Sequence, residues 1–249
     1  ANPKAMQVQL SSGERITLQG EGLRWAQKGL DPKSKAPLKI TRGAIVRVVS
    51  TGGRVLDGGD TRLDVIADTA PAAKFTVAGL LGVGSDGNPL DVRVRDLNAS
   101  SVQGSVALAA VGGVNIEAVS AGDAVQITAD GDITGQSVTS TGAGTQGPDK
   151  SVSVASTGGR VTLDSVTGTG PVNVDGQTGV DVSSVESTGG SVVLNSDTGD
   201  VVVDTATALQ DVTMTAAAGA ITAGTTTATD GDVTLGALGD IVAITTVAG

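Results

Sequence analysis

From residue 104 onward the apolar positions recur in short alternating pairs, and the pairs themselves recur at a fixed step. One line runs SVSVASTGGRVTLDSVTGTG from Ser151, the next PVNVDGQTGVDVSSVESTGG from Pro171, then SVVLNSDTGDVVVDTATALQ from Ser191. DVTMTAAAGAITAGTTTATD from Asp211 and GDVTLGALGDIVAITTVAG at the end follow the same grammar. Each opens on a pair such as Val152/Val154, passes a polar corner holding Gly, and closes on a pair such as Val161/Leu163. The leading residues Val152, Val172, Val192, Val212 and Val233 are 20, 20, 20 and 21 apart. Upstream, Val106 to Val125 is 19, and Val125 to Val152 is 27, the length of one rung with an insertion at 141–150 (TGAGTQGPDK).

Alternation of period two sends one set of side chains inward and the other outward, so each pair predicts a short strand. Gly and Asp-Gly between the pairs predict corners with positive φ. A unit of ~20 residues is too short to bury its own apolar face, so it must stack on its neighbours. In register, the valines form inward ladders and each backbone group pairs with the rung above or below. The expected fold is all-β: a single-stranded parallel β-helix (β-solenoid), right-handed, of ten to twelve rungs. The competing reading is a β-sandwich or an immunoglobulin-like array, which repeats over ~100 residues and relies on buried aromatics.

The first hundred residues are less regular. Pairs at Val8/Leu10, Ile16/Leu18, Val46/Val48 and Leu63/Val65 predict rungs with longer excursions, and 21–37 (EGLRWAQKGLDPKSKAP) predicts a loop or short helix over one end. The expected organisation is a basic amino-terminal cap with the first irregular rungs at 1–50, further irregular rungs at 51–103, and the regular solenoid at 104–249.

Composition supports a thin core. The 249 residues include 37 Gly but one Trp (Trp25), one Phe (Phe75) and no Tyr. Rows of Val, Ile, Leu and Ala must fill the interior that aromatics fill in compact domains. The longest apolar stretch, 78–83, is far shorter than a membrane span. The chain opens at Ala without a signal peptide, as a mature or trimmed product would.

Charge is distributed unevenly. Residues 1–50 hold nine Lys/Arg and three acids, a net of +6, whereas the remaining 199 hold a net of −16. No Lys or Arg follows Arg160. In a solenoid this becomes a gradient along the axis. The basic end offers Arg24, Trp25, Lys28, Lys33, Lys35, Lys39 and Arg42, and the acidic end Asp230, Asp232 and Asp240, as candidate self-assembly or surface-binding residues. The final line carries no polar cap, so a continuing chain or another subunit is expected to cover its strand edge. Head-to-tail stacking through unlike faces yields open filaments.

Chemistry has few candidates. Without His or Cys, catalytic triads of the usual kind, thiol nucleophiles and zinc sites are ruled out. The carboxylate pairs Asp130/Asp132, Asp197/Asp200 and Asp230/Asp232 sit in Gly-rich corners where Asp is a common turn former. No catalytic residue, metal ligand or cofactor is assigned, beyond weak Ca²⁺ binding at scattered Asp corners. Overall acidity and scarce aromatics argue against nucleic acid.

The repeats at 104–249, with Val152-Ser-Val154 and Val161-Thr-Leu163 around STGG and the stretch GDVTLGALGDI, resemble the repeat region of filamentous-haemagglutinin-like exoproteins of two-partner secretion. The resemblance implies a right-handed parallel β-helix that acts as an adhesin or as a stalk, secreted or on a bacterial cell surface. That family's Asn-Pro-Asn motifs have no counterpart here, the one early Asn-Pro being Asn2-Pro3. The expected function is a non-enzymatic subunit of a surface filament or matrix fibre, with itself as partner. The alternatives are an adhesin stalk segment contacting a cell-surface glycan or receptor, and a polysaccharide-processing β-helix.

Overall fold

The computed structural model describes residues 5–9, 15–19, 38–39, 45–57, 63–67 and 74–249. All regular structure among them is strand, arranged as a parallel β-solenoid of about nine turns, slightly fewer than the ten to twelve expected. Two long sheets run the length of the axis. At the usual strand spacing of ~4.8 Å the stack is roughly 45 Å long.

The valine step decides the register. In one sheet Val106, Val125, Val152, Val172, Val192, Val212 and Val233 are successive partners, so the residues leading each line lie directly above one another. The neighbouring column holds Ile127, Val154, Val174, Leu194 and Met214, each fully buried. Because the insertion at 141–150 lies between the strands Ile133–Ser140 and Val152–Ser156, it leaves the ladder in register.

The other sheet is built from strands of eight or nine residues over most of its length, and its pairing skips one residue in each. Leu163 pairs with Val182 and Ser165 with Ser184, while Asp164 and Ser183 drop out. The same column holds Gln136, Asp204 and Ile244. At this residue the strand bends, so that Leu163 and Val166 on either side both point inward. Each regular rung therefore has three sides.

The corners are fixed by hydrogen bonds of their own. Where the line reads Ser-x-x-Gly, the buried serine hydroxyl accepts the N–H of the glycine three residues on. Gly104 donates to Ser101 at 3.0 Å, Gly159 to Ser156 at 2.8 Å, Gly190 to Ser187 at 3.0 Å and Gly199 to Ser196 at 3.1 Å. The expectation of positive φ at the corners needs correcting. Among the described residues, positive φ occurs at seven glycines, and none of these four is among them. Glycine is required there because a Cβ would strike the previous rung, at 1.8 Å from the Leu81 carbonyl oxygen for Gly104 and 1.9 Å from that of Thr178 for Gly199.

The amino-terminal end departs from the expected rungs. Strands Ala5–Gln9 and Arg15–Gln19 form an antiparallel pair, and the second lies antiparallel on Ile45–Ser50, the first strand of the parallel series. Val8, Ile16 and Leu18 are thus on strands, but not on rungs.

Candidate functional site

Three places along the rod combine exposure with unusual chemistry: the last rung, a carboxyl cluster near the first rungs, and a groove on one lateral edge.

The last rung lacks a neighbour among the described residues. Strand Ile241–Ala248 pairs with Ile221–Ala228 on one side only, and every one of its residues is exposed. Ile241 is 45 % exposed, Ile244 80 % and Val247 48 %. Leu235, which continues the column of Leu194 and Met214, is only partly buried. Asp230, Asp232 and Asp240 stand on exposed corners of this end, the first two ahead of Val233–Ala237 and the third ahead of Ile241–Ala248. The structure thus places the three predicted acids around the rim of the bare rung. Of the predicted basic residues, Lys39 lies on the short strand Leu38–Lys39, which pairs with Val65–Ala67. Arg24, Trp25, Lys28, Lys33, Lys35 and Arg42, with the loop expected at 21–37, fall outside the described residues.

Several corner carboxylates also join one rung to the next, among them Asp130, Asp132 and Asp200 of the predicted pairs. Asp132 accepts the N–H of Arg160 at 2.8 Å, Asp200 that of Ala220 at 2.8 Å, and Asp211 that of Asp232 at 2.9 Å. Asp130 takes the N–H of Gly112. Each bond spans 18 to 28 residues of sequence and one step along the axis. Asn side chains extend the pattern outward: Asn195 donates to Asp175 at 2.9 Å and Asn98 to Glu117 at 2.8 Å. Lys74 also bonds Glu117 and, with Asn98, holds that carboxyl below its ordinary value.

Near the first rungs Asp64 is half-buried, and its carboxyl is pushed up to about 7. Burial is the main cause, and the neighbouring carboxyls of Asp57 and Asp91 raise it further, against the N–H of Asp91, which donates to Asp64 at 3.0 Å. Among the described residues no group of three or more acidic side chains is placed to hold a metal ion.

The lateral groove arises at the corner that carries the chain from one sheet to the other. In the turn reading Val111-Gly-Gly-Val114 the corner has no side chain at Gly112, where φ is +86° and a Cβ would meet nothing within 4 Å. The corner is therefore recessed between Arg93 and Arg95 on the preceding turn and Asp132 and Thr134 on the following one. The cavity measures about 420 Å³. Val111, 43 % exposed, supplies an apolar patch, and Asn115 stands at the far side with its amide donating to Asp96 at 2.8 Å. Sequence reasoning singled out Asp132 but missed Arg93 and Arg95. The signal was present in the pairing of Arg-Val-Arg at 93–95 with a side-chain-poor corner one rung later.

No protein-family model, curated protein or solved structure matches this chain.

Proposed function

We propose that this chain is a non-enzymatic structural element outside the cell, a rigid β-helical rod that stacks head to tail into a surface filament or matrix fibre. The charge gradient along the ladder carries the reading: residues 1–50 hold a net +6, and Asp230, Asp232 and Asp240 stand around the rung at 241–248. A strand edge flanked by Ile241, Ile244 and Val247 is stabilised by docking a further rung, which pairs its N–H and C=O groups and buries its apolar side chains.

The amino-terminal hairpin supports a second copy as the occupant. Strand 5–9 is antiparallel to 15–19, which is antiparallel to 45–50, so 5–9 runs in the same sense as the parallel series. A copy translated along the axis would present that strand to 241–248 as a parallel partner. The net +6 of residues 1–50 and the acids Asp230, Asp232 and Asp240 at the other end favour this polarity. Such a contact joins unlike faces and propagates without closing.

A second reading, drawn from the same bare rung, makes the chain a segment of an adhesin stalk in which further rungs of the same polypeptide cover 241–248. Negative-stain electron microscopy at low and high salt separates the two. Thin fibres with an axial repeat near one subunit length, lost in high salt, are expected for the filament. Separate short rods under all conditions would overturn it and leave the stalk.

A further inference from the structure

We infer that the lateral groove at 111–114 is a binding site for a short acidic saccharide, one that presents a uronate carboxylate beside ring hydroxyls. The site would give the rod a ligand on its side, whatever happens at its ends.

The two walls differ in charge and in chemistry. On one, Arg93 and Arg95 both line the hollow. A guanidinium has five donors in a planar fork, enough to serve a structural partner and still grip a carboxylate in bidentate fashion. On the other, Asp132 is held in place by the N–H of Arg160 at 2.8 Å, which occupies one carboxylate oxygen and leaves the second as an acceptor. Thr134 stands beside it, its hydroxyl 3.4 Å from the Asn115 side-chain oxygen. A ligand matching both walls must carry an anionic group at one edge and hydroxyl donors at the other. A sugar acid does, and its C–H face would rest on exposed Val111.

Other anions fit less well. A nucleotide base needs an aromatic platform, and none of the residues lining the groove is aromatic. A long polyanion would run onto a body whose residues 51–249 carry a net −16. A short saccharide avoids that repulsion. The cavity, about 420 Å³, lies within the range of ~300–1,000 Å³ usual for small-ligand sites.

The test is calorimetric titration of the whole chain with a glucuronic acid trisaccharide, and with the same trisaccharide after reduction of its carboxylates to alcohols. Saturable binding of the acidic form, weakened about tenfold or more by reduction, is expected. Arg95→Gln removes an exposed charge from the wall, and Thr134→Trp fills the hollow without changing charge. Each should weaken binding about tenfold, whereas Arg54→Gln, which removes a cation outside the groove, should change it less than about twofold. Circular dichroism confirms that the variants keep the wild-type fold. No saturable binding, equal binding of the reduced trisaccharide, or an equal loss with Arg54→Gln would overturn the inference. Fibres or rods in the microscope report on assembly independently, so either proposal can fail while the other stands.

Discussion

Lys150 donates its ammonium to the carboxylate of Asp123, 27 residues earlier, and Asp123 is only 1 % exposed. The second oxygen of Asp123 accepts the N–H of Gln146 at 3.0 Å, and Lys150 also reaches the Gly144 carbonyl at 2.9 Å. The insertion at 141–150 is therefore fastened to the rung below it by a buried charge.

Removing one partner of such a pair leaves the other desolvated. Lys150→Met is expected to destabilise the chain by about 2–4 kcal/mol, and the double variant with Asp123→Asn by less than the sum of the two single changes. Thermal melting of the four proteins measures the coupling. Limited proteolysis should show cleavage within 141–150 appearing in Lys150→Met.

The glycines divide into two kinds by what lies next to them. Gly104→Ala and Gly199→Ala each drive a Cβ into a carbonyl of the preceding rung and should cost about 3 kcal/mol or more. A Cβ at Gly52 or Gly236 would meet nothing within 4 Å, and neither has positive φ. Alanine there should be neutral or stabilise by up to about 1 kcal/mol. Denaturation midpoints for the four variants provide the comparison.

Leu194 and Leu235 occupy the same inward column, two steps apart. Leu194→Ala is expected to cost about 2–5 kcal/mol, while Leu235→Ala in the isolated chain should cost well under 2 because its rung is half open. If rods stack, the penalty at Leu235 should rise under assembling conditions. Melting below and above the assembly concentration measures this.

Asp64 makes stability depend on pH in the direction opposite to an ion-paired carboxylate. Its folded value of about 7 lies above the ordinary 3.8, so between these values the folded chain holds a proton that the unfolded chain has released. The contribution is fully present below pH 4 and is lost as pH rises through 7. Asp64→Asn should therefore stabilise the protein at pH 8 and leave it almost unchanged at pH 4. The gain is on the order of 1 kcal/mol, because the half-buried group is screened by solvent. Urea titrations at the two pH values test it.

The stacked ladders were legible because their period is a property of the rung itself: residues 20 apart must coincide if Val152, Val172 and Val192 are all to be buried. Alternation does not reveal strand direction, which is why Val8 and Ile16 were read as belonging to rungs rather than to an antiparallel hairpin. Ser-x-x-Gly was visible as STGG, but its cause was not. The need for glycine at Gly199 comes from a carbonyl 21 residues earlier, at Thr178, a contact that exists only once the rungs are stacked. The groove is hidden for the same reason, since Arg95, Gly112 and Asp132 belong to three turns and are neighbours only along the axis.

A rod of this kind bears tension through its rung-to-rung interfaces, arranged in series, so that each carries the full load and the weakest sets the breaking force. The insertion at 141–150 changes that arrangement locally. Gly144 donates to Gly122 at 2.8 Å, and Thr145 and Gln146 reach past it to the Gln103 carbonyl at 2.9 and 3.1 Å. Backbone bonds from one loop thus strap three consecutive turns. Under axial pulling this segment should behave as a single mechanical block, with peeling arrested on either side of it.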